Sequence, residues 1–294
     1  MTLLGTYLKL IRAKQWLKNL FVFAPLIFSA KLSEPNSILR SLLIFVAFCL
    51  VSSSVYIFND IRDIESDRLH WRKKKRPLAA GDVSTGTAMA VTVLFLGAAS
   101  LISLRLPFLA GLFLAVYVAI NVFYTLKGKE MVLIDAFCIS AGFVFRVIAG
   151  AYAIEVNPTG WIVVTTFFLA LFLGFGKRRN ELLLSEAEAS NHRRVFKDYN
   201  SKFLDYLMVA TSSITIISYS LYCLDPSVIN KFNTDKLVYT VPFVTYGVFR
   251  YLLLLFKNVE GDPTEVVTGD AGIILSAALW FVSVLLVVYI PVWF

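Results

Sequence analysis

About nine stretches of this 294-residue chain are apolar for something near the length a helix needs to cross lipid, roughly 20 residues. They follow one another with little between them: 16–29, 42–58, 87–104, 108–123, 132–153, 161–175, 204–224, 237–256 and 273–289. Hydrocarbon offers no partner for a backbone N–H or C=O, so each stretch must satisfy its own backbone as a helix, and open strand edges are excluded. No connecting segment is long enough for a soluble domain. With 58% hydrophobic and 16% charged residues and a mean hydropathy of +0.72, the sequence predicts an all-α, multi-pass integral membrane protein.

Charge gives the orientation. Most of the 28 Lys and Arg residues fall on the same side of these spans as the N-terminus; Lys31, Arg40, Arg105, Lys231 and Lys236 fall on the other, and Arg146 lies inside a span. This asymmetry predicts a cytoplasmic N-terminus in a cell or plasma membrane. The carboxylates crowd onto the same side, which orientation alone does not require, so that face is expected to hold a polar active site. The net charge of +8 suits anionic substrates or lipid, and no basic stripe interleaved with stacking aromatics points to nucleic acid. Cys49, Cys138 and Cys223 lie within spans and have no metal-ligand or disulfide spacing. Phe28 stands where a cleavable signal peptide wants a small residue, so the first span is expected to be retained.

The most chemical segment is 59–68, Asn-Asp-Ile-Arg-Asp-Ile-Glu-Ser-Asp-Arg, which leaves the second span and runs into a basic tract at 71–76 closed by Pro77. If the helix continues past the span, Tyr56, Asn59, Asp60, Asp63 and Asp67 recur at three- and four-residue steps and share one face. Oxygen ligands at a membrane surface suit Mg²⁺, which keeps waters and substrate phosphates in its shell. The adjoining cations, Arg72, Lys73 and Arg76 among them, can then hold the phosphates. The plain alternative is a charged stop-transfer loop.

Other polar groups stand at the span ends. Lys14 and Lys18, with Gln15 and Asn19 between and beside them, are one α-helical turn apart on one face: a phosphate clamp, or two lysines snorkelling to headgroups. Tyr124 and Lys127 follow the fourth span, and Asp135 and Arg146 lie in the next. Eleven residues put those two about 16 Å apart along a helix, so an anionic ligand or another helix is expected to neutralise Arg146. After the sixth span, Lys177, Arg178 and Glu181 recur at helical spacing behind Gly174 and Gly176, read as places where backbone approaches a ligand; Glu186, Glu188, His192, Arg193 and Arg194 follow. His192 is assigned no role. Asp262-Pro263, with Glu265 and Asp270, reads as an ordinary Pro turn.

An Asn-Asp-x-x-Asp-x-x-x-Asp run after the second span, followed by basic residues and Arg76-Pro77, resembles the UbiA-type polyprenyl transferase superfamily across essentially the whole chain. The resemblance implies a single transmembrane domain over 1–294, about nine helices around a lateral cavity open to lipid, and Mg²⁺ with diphosphate at the first Asp-rich motif. Prenyl transferases of this kind carry a second Asp-rich motif after the sixth span; here Lys177-Arg178-Arg179-Asn180-Glu181 stands in its place. That departure, with Arg12-Ala13-Lys14-Gln15-Trp16-Leu17-Lys18-Asn19, is similar to the decaprenyl-phosphate 5-phosphoribosyltransferases. They move a 5-phosphoribosyl group from 5-phosphoribosyl 1-diphosphate to a polyprenyl phosphate.

By that resemblance Asn59 and Asp63 hold Mg²⁺, with Asp60 and Asp67 in its inner or outer shell. Lys73 and Arg76 neutralise the leaving diphosphate, Lys127 and Arg146 orient the lipid phosphate, Lys177 and Arg178 hold the ribose 5-phosphate, and Glu181 meets ribose hydroxyls or positions the cations. Tyr56, Tyr124, Lys14 and Lys18 are further substrate-binding candidates. A homo-oligomer is left open. Two alternatives remain, an aromatic prenyl transferase, which wants the missing Asp-rich motif, and an anion transporter, which wants inverted repeats or broken helices at mid-membrane.

Overall fold

Four of the helices begin where the sequence provides side-chain caps. The computed structural model describes residues 3–69, 73–188, 199–257 and 262–293, with the side chains of 184–188 and 291–293 excepted. Arg72, His192, Arg193 and Arg194, and the side chains of Glu186 and Glu188, lie outside the described residues. In chain order the helices are α1 (Leu3–Leu10), a 3-10 helix (Ala13–Phe23), α2 (Ala24–Phe28), α3 (Pro35–Arg62), α4 (Ile64–Leu69), α5 (Pro77–Ala80), α6 (Thr85–Ser103), α7 (Phe108–Leu126), α8 (Ile134–Ala153), α9 (Gly160–Glu188), α10 (Ser201–Leu224), α11 (Pro226–Phe232), α12 (Val241–Phe256), α13 (Pro263–Gly269) and α14 (Ala271–Trp293). Ser84 accepts the Thr87 N–H at 3.1 Å to open α6, and Asn200 accepts the Phe203 N–H at 2.7 Å to open α10. Asp225 with Pro226 opens α11, and Asp262 with Glu265 forms a capping box on α13. Each cap satisfies backbone donors that the first helical turn leaves without partners.

Eight of the described helices are long and apolar enough to cross a membrane. They correspond to the second through ninth expected spans. The first, 16–29, is not a continuous α-helix but the 3-10 run followed by the short α2. At about 2.0 Å per 3-10 residue and 1.5 Å per α residue, those segments still rise about 30 Å, the thickness of a hydrocarbon core.

The chain forms two compact units: Met1–Leu26 with Glu34–Leu126 and Phe145–Asn157, and Ile27–Ser33 with Lys127–Val144 and Pro158–Phe294. In unit 1, Ile44, Ala47, Phe48 and Val51 of α3 pack with Val22, Ala99, Ala110, Leu114, Tyr117 and Ala149. The alanines let helix backbones approach, which replaces a missing hydrophobic drive with close van der Waals contact. In unit 2, Phe172 and Phe175 of α9 pack with Leu204 and Met208 of α10 and with Tyr251 and Leu255 of α12.

The 3-10 helix lies along α3 for a reason its sequence contains. With three residues per turn, positions i and i+3 eclipse, so Trp16, Asn19 and Val22 form one face. Trp16 Nε1 donates to Ser53 Oγ at 3.0 Å, Asn19 Nδ2 donates to Ser52 Oγ at 3.2 Å, and Val22 is fully buried. The same period corrects the expectation that Lys14 and Lys18 share a face: four residues of 3-10 helix are about 480°, which turns them roughly 120° apart.

Candidate active site

Unit 1 carries the carboxylate run much as its spacing predicts. α3 continues past the apolar span to Arg62, Asp63 caps it, and α4 resumes at once, with the Asp67 N–H donating to the Asp63 carbonyl at 2.8 Å. The near-continuous helix keeps the acids on one side. Asn59 Nδ2 donates to Asp63 Oδ2 at 3.0 Å. Asp60 and Asp67 are buried instead, and both are claimed by arginines. Arg76 Nη1 donates to Asp60 Oδ1 at 3.0 Å and to Asp67 Oδ2 at 2.5 Å, while Arg12 Nη2 donates to the same Asp60 oxygen. The Arg12 guanidinium also lies 5.0 Å from the centre of the Tyr56 ring. Two arginines and two aspartates thus form a charge-balanced chain beside Asn59 and Asp63. Lys73, in a 3-10 turn over Lys73–Lys75, is partly buried next to it in sequence.

The donor chemistry suits a hard divalent cation. Among the described residues no three His, Cys, Asp or Glu side chains converge as a metal site. Asn59 and Asp63 offer an amide oxygen and a carboxylate, a sparse set that leaves room for the waters and phosphates Mg²⁺ retains. Asp60 and Asp67, expected in the metal's shell, are engaged in holding guanidinium groups.

Arg146 belongs to unit 1 and is 4% exposed. Its Nε donates to Asn19 Oδ1 at 2.7 Å and its Nη2 to Tyr117 Oη at 2.9 Å, with its guanidinium 4.5 Å from the Tyr117 ring centre and 5.7 Å from that of Phe48. These contacts brace Asn19, and so the 3-10 helix, against α8. Tyr124 is partly buried near the end of α7, which extends past it to Leu126. Lys14 is exposed and Lys18 partly buried.

Unit 2 holds the second cluster, and it lies within a helix rather than in a loop. α9 runs unbroken through 174–181 because Gly176 serves packing: a Cβ there would meet Leu255 Cδ1 at 2.7 Å and the Tyr251 hydroxyl at 3.3 Å. This replaces the expected approach of backbone to ligand. Arg178, 1% exposed, donates from Nε to Asp135 Oδ2 at 2.5 Å and from Nη1 to Glu181 Oε2 at 2.5 Å. Tyr199 completes the cage, donating to Asp135 Oδ1 at 3.0 Å and accepting the Leu133 N–H at 2.8 Å. Burial and the Asp135 charge push the Tyr199 hydroxyl well above its ordinary range, so it remains a donor. Lys177 is a third exposed and pairs with Asp262 at 2.7 Å. Lys127, also in this unit, is exposed just beyond α7. Of the two cations expected on a phosphate, Lys177 reaches solvent and Arg178 does not.

Two partners were hidden in the sequence. Arg12 is drawn to Asp60 by a left-handed backbone turn (φ 50°) that no residue type announces. Asp262 reads as a turn residue, and its role as the Lys177 counter-ion depends on tertiary packing.

Fold and clusters together define a multi-pass helical membrane protein with cation-braced carboxylates. The chain belongs to the UbiA prenyltransferase family, whose sequence pattern matches residues 20–267. It is 32% identical over 295 residues to a decaprenyl-phosphate phosphoribosyltransferase of Corynebacterium glutamicum, covering 96% of this chain and 86% of that protein. It is 29% identical to the decaprenyl-phosphate phosphoribosyltransferase of Mycolicibacterium smegmatis, covering 98% and 93%. Its fold resembles that of a UbiA homolog from Archaeoglobus fulgidus bound to DMAPP and Mg²⁺, with a TM-score of 0.73 at 18% identity over 97% of this chain and 99% of that one.

Proposed function

We propose that this protein transfers the 5-phosphoribosyl group of 5-phosphoribosyl 1-diphosphate to a polyprenyl phosphate, releasing diphosphate, with Mg²⁺ as its metal. The carrying observation is the α9 turn at Lys177–Glu181: it presents a cation one third exposed, backed by a buried Arg178–Asp135 pair, where an aromatic prenyl transferase wants metal-binding acids. The near-full-length relatives that bear the phosphoribosyltransferase name support the same reading.

In this reading the C1–O bond to diphosphate breaks as a lipid phosphate oxygen bonds to C1, and the diphosphate leaves with the electron pair. The lipid phosphate is already an anion, so no strong general base is required. Bound Mg²⁺, held by Asn59 and Asp63, would stabilise the charge that develops on the leaving group. Arg76, Lys73 and Arg12 add fixed positive charge for the diphosphate, and Asp60 and Asp67 hold the two arginines in place. Tyr56 supports Arg12 through its ring. Lys177 is assigned the 5-phosphate, with Arg178 and Glu181 as the support that positions it. Lys127, Tyr124, Lys14 and Lys18 are assigned to the lipid phosphate and its surroundings, and Arg146 acts there through Asn19. Residues 1–294 are taken as one catalytic domain in the cell membrane, its polar site on the cytoplasmic side.

Purified protein incubated with labelled 5-phosphoribosyl 1-diphosphate, a polyprenyl phosphate and Mg²⁺ should yield a labelled lipid and diphosphate. Prenylation of an aromatic acceptor from a polyprenyl diphosphate, with no labelled lipid from the sugar donor, would overturn the reading.

A further inference from the structure

Gln15 Oε1 is buried and accepts no hydrogen bond from any described residue. An acceptor withdrawn from water without a donor destabilises a protein, so native structures keep few of them. Ser41 Oγ is the other such side-chain atom among the described residues. It lies eighteen residues before Asn59 on α3, about 27 Å away along the helix. Gln15 instead follows Arg12 by three residues: its N–H donates to the Arg12 carbonyl at 2.8 Å, which ties it to the arginine paired with Asp60.

With three residues per turn, Gln15 and Lys18 share one side of the 3-10 helix, while Trp16, Asn19 and Val22 occupy the side packed on α3. Arg12, at the left-handed N-cap just before the helix, is ion-paired to Asp60, so an amide and a second cation follow directly on an arginine. Arginine and lysine supply the charge that phosphates need; a neutral carbonyl oxygen between them suits a hydroxyl donor.

We infer that Gln15 is a specificity-determining residue whose Oε1 accepts a hydrogen bond from a ribose hydroxyl of the phosphoribosyl donor. This assignment rests on the function proposed above and extends it from phosphate recognition to recognition of the sugar. It also accounts for a buried acceptor without a protein partner: the donor is part of the substrate.

The test uses the full chain in detergent or nanodiscs and measures equilibrium binding of four probes to wild type and to Gln15→Met, which keeps side-chain length and removes the acceptor. The probes are 5-phosphoribosyl 1-diphosphate, its 2-deoxy and 3-deoxy analogues, and inorganic diphosphate, all with Mg²⁺. Gln15→Met is expected to bind the donor about tenfold more weakly and diphosphate unchanged, because a hydroxyl loses its acceptor while the cations remain. One deoxy analogue should weaken wild type by a similar factor and weaken the variant no further. Without ligand the variant should melt no lower than wild type, whereas a structural glutamine would leave it less stable. Equal donor affinity in the two proteins overturns the assignment, as does a parallel loss of diphosphate binding. A wild type that binds diphosphate but not the sugar donor overturns the functional reading, and this inference with it.

Discussion

Gly150 of α8 touches the backbone of Val22: a Cβ on Gly150 would lie 2.2 Å from the Val22 carbonyl oxygen and 3.2 Å from its Cα. The obstacle is backbone in a packed 3-10 helix, so no side-chain rotation relieves it. Glycine here permits the close approach that seats the 3-10 helix and, through it, Arg12 and Asn19. Gly150→Ala should therefore cost about 1–3 kcal/mol of stability, more than the roughly 1 kcal/mol a helix gains from alanine. Gly97→Ala in α6, where a Cβ meets nothing within 4 Å, should be neutral or stabilising. Thermal melting of both variants checks the pair, and equal behaviour would show that the contact imposes nothing.

The same pair marks where the sequence stops being legible. The α-helical spans, their caps and the shared side of Asn59, Asp60, Asp63 and Asp67 follow from hydropathy, Ser84, Asn200 and Asp262, and three- and four-residue spacing, all of which are local. The 3-10 winding of Ala13–Phe23 is not local in origin. It is fixed by Ser52, Ser53 and Gly150, distant in sequence, and a 3.6-residue period imposed on that stretch put Lys14 and Lys18 together on a face they do not share. The surroundings of Arg178 are hidden for a related reason: cations at helical spacing behind two glycines read as an anion site, and only the fold brings distant Asp135, with Tyr199 on it, to the guanidinium.

Asp135 and Arg178 are 0% and 2% exposed at their side chains and paired at 2.5 Å. Removing one member leaves a buried charge without its counter-ion, at a cost on the order of 3–5 kcal/mol. Asp135→Asn and Arg178→Met should each lower thermal stability sharply, and Asp135→Leu combined with Arg178→Met should recover much of the loss. Glu181→Gln, at the partly exposed end of the same arginine, should cost far less. A double variant as unstable as the sum of the singles would argue against the pair as the unit of stabilisation.

Asp270, between α13 and α14, is held below its ordinary carboxylate range first by hydrogen bonds from Arg250 and then by the Ile273 N–H. A folded-state value below the unfolded one stabilises the protein above the unfolded value of about 3.9, and the benefit is lost as pH falls through the lowered one. The contribution of this pair should be constant from pH 7 to pH 5 and vanish in stronger acid. Asp270→Asn, which lacks the titration, should melt lower than wild type at pH 7, with the gap closing in acid. A gap unchanged at low pH would remove Asp270 from the acid response.

Cysteine labelling on intact cells tests the orientation. The three native cysteines are buried, so introduced ones report cleanly. Lys74→Cys and Thr268→Cys, exposed on the charge-crowded side, should be protected from an impermeant reagent until the cells are opened, while Asn157→Cys and Ser227→Cys should react from outside. Labelling of Lys74→Cys from outside would invert the topology and remove the route for a cytosolic sugar donor.

Asn59, Asp60, Asp63 and Asp67 should separate into two kinds. Asn59 and Asp63 face each other at 3.0 Å and are assigned the metal, so Asp63→Ala should abolish turnover and metal-dependent donor binding while the protein stays folded. Asp60 and Asp67 are spent on Arg12 and Arg76. Asp60→Asn and Asp67→Asn should leave the Mg²⁺ concentration for half-maximal activity nearly unchanged and raise KM for the donor, because the arginines lose their anchors. A charge-assisted contact is worth about 1.5–3 kcal/mol, which makes that rise on the order of tenfold or more if one guanidinium is misdirected. Arg76→Lys should reproduce it, since an ammonium cannot bridge two carboxylates with the planar fork of a guanidinium. Titrating Mg²⁺ at saturating donor, and donor at saturating Mg²⁺, separates the two kinds of residue. If Asp60→Asn shifts the Mg²⁺ titration as far as conservative changes at Asp63 do, Asp60 is a metal ligand and its arginine pairs are incidental to its role.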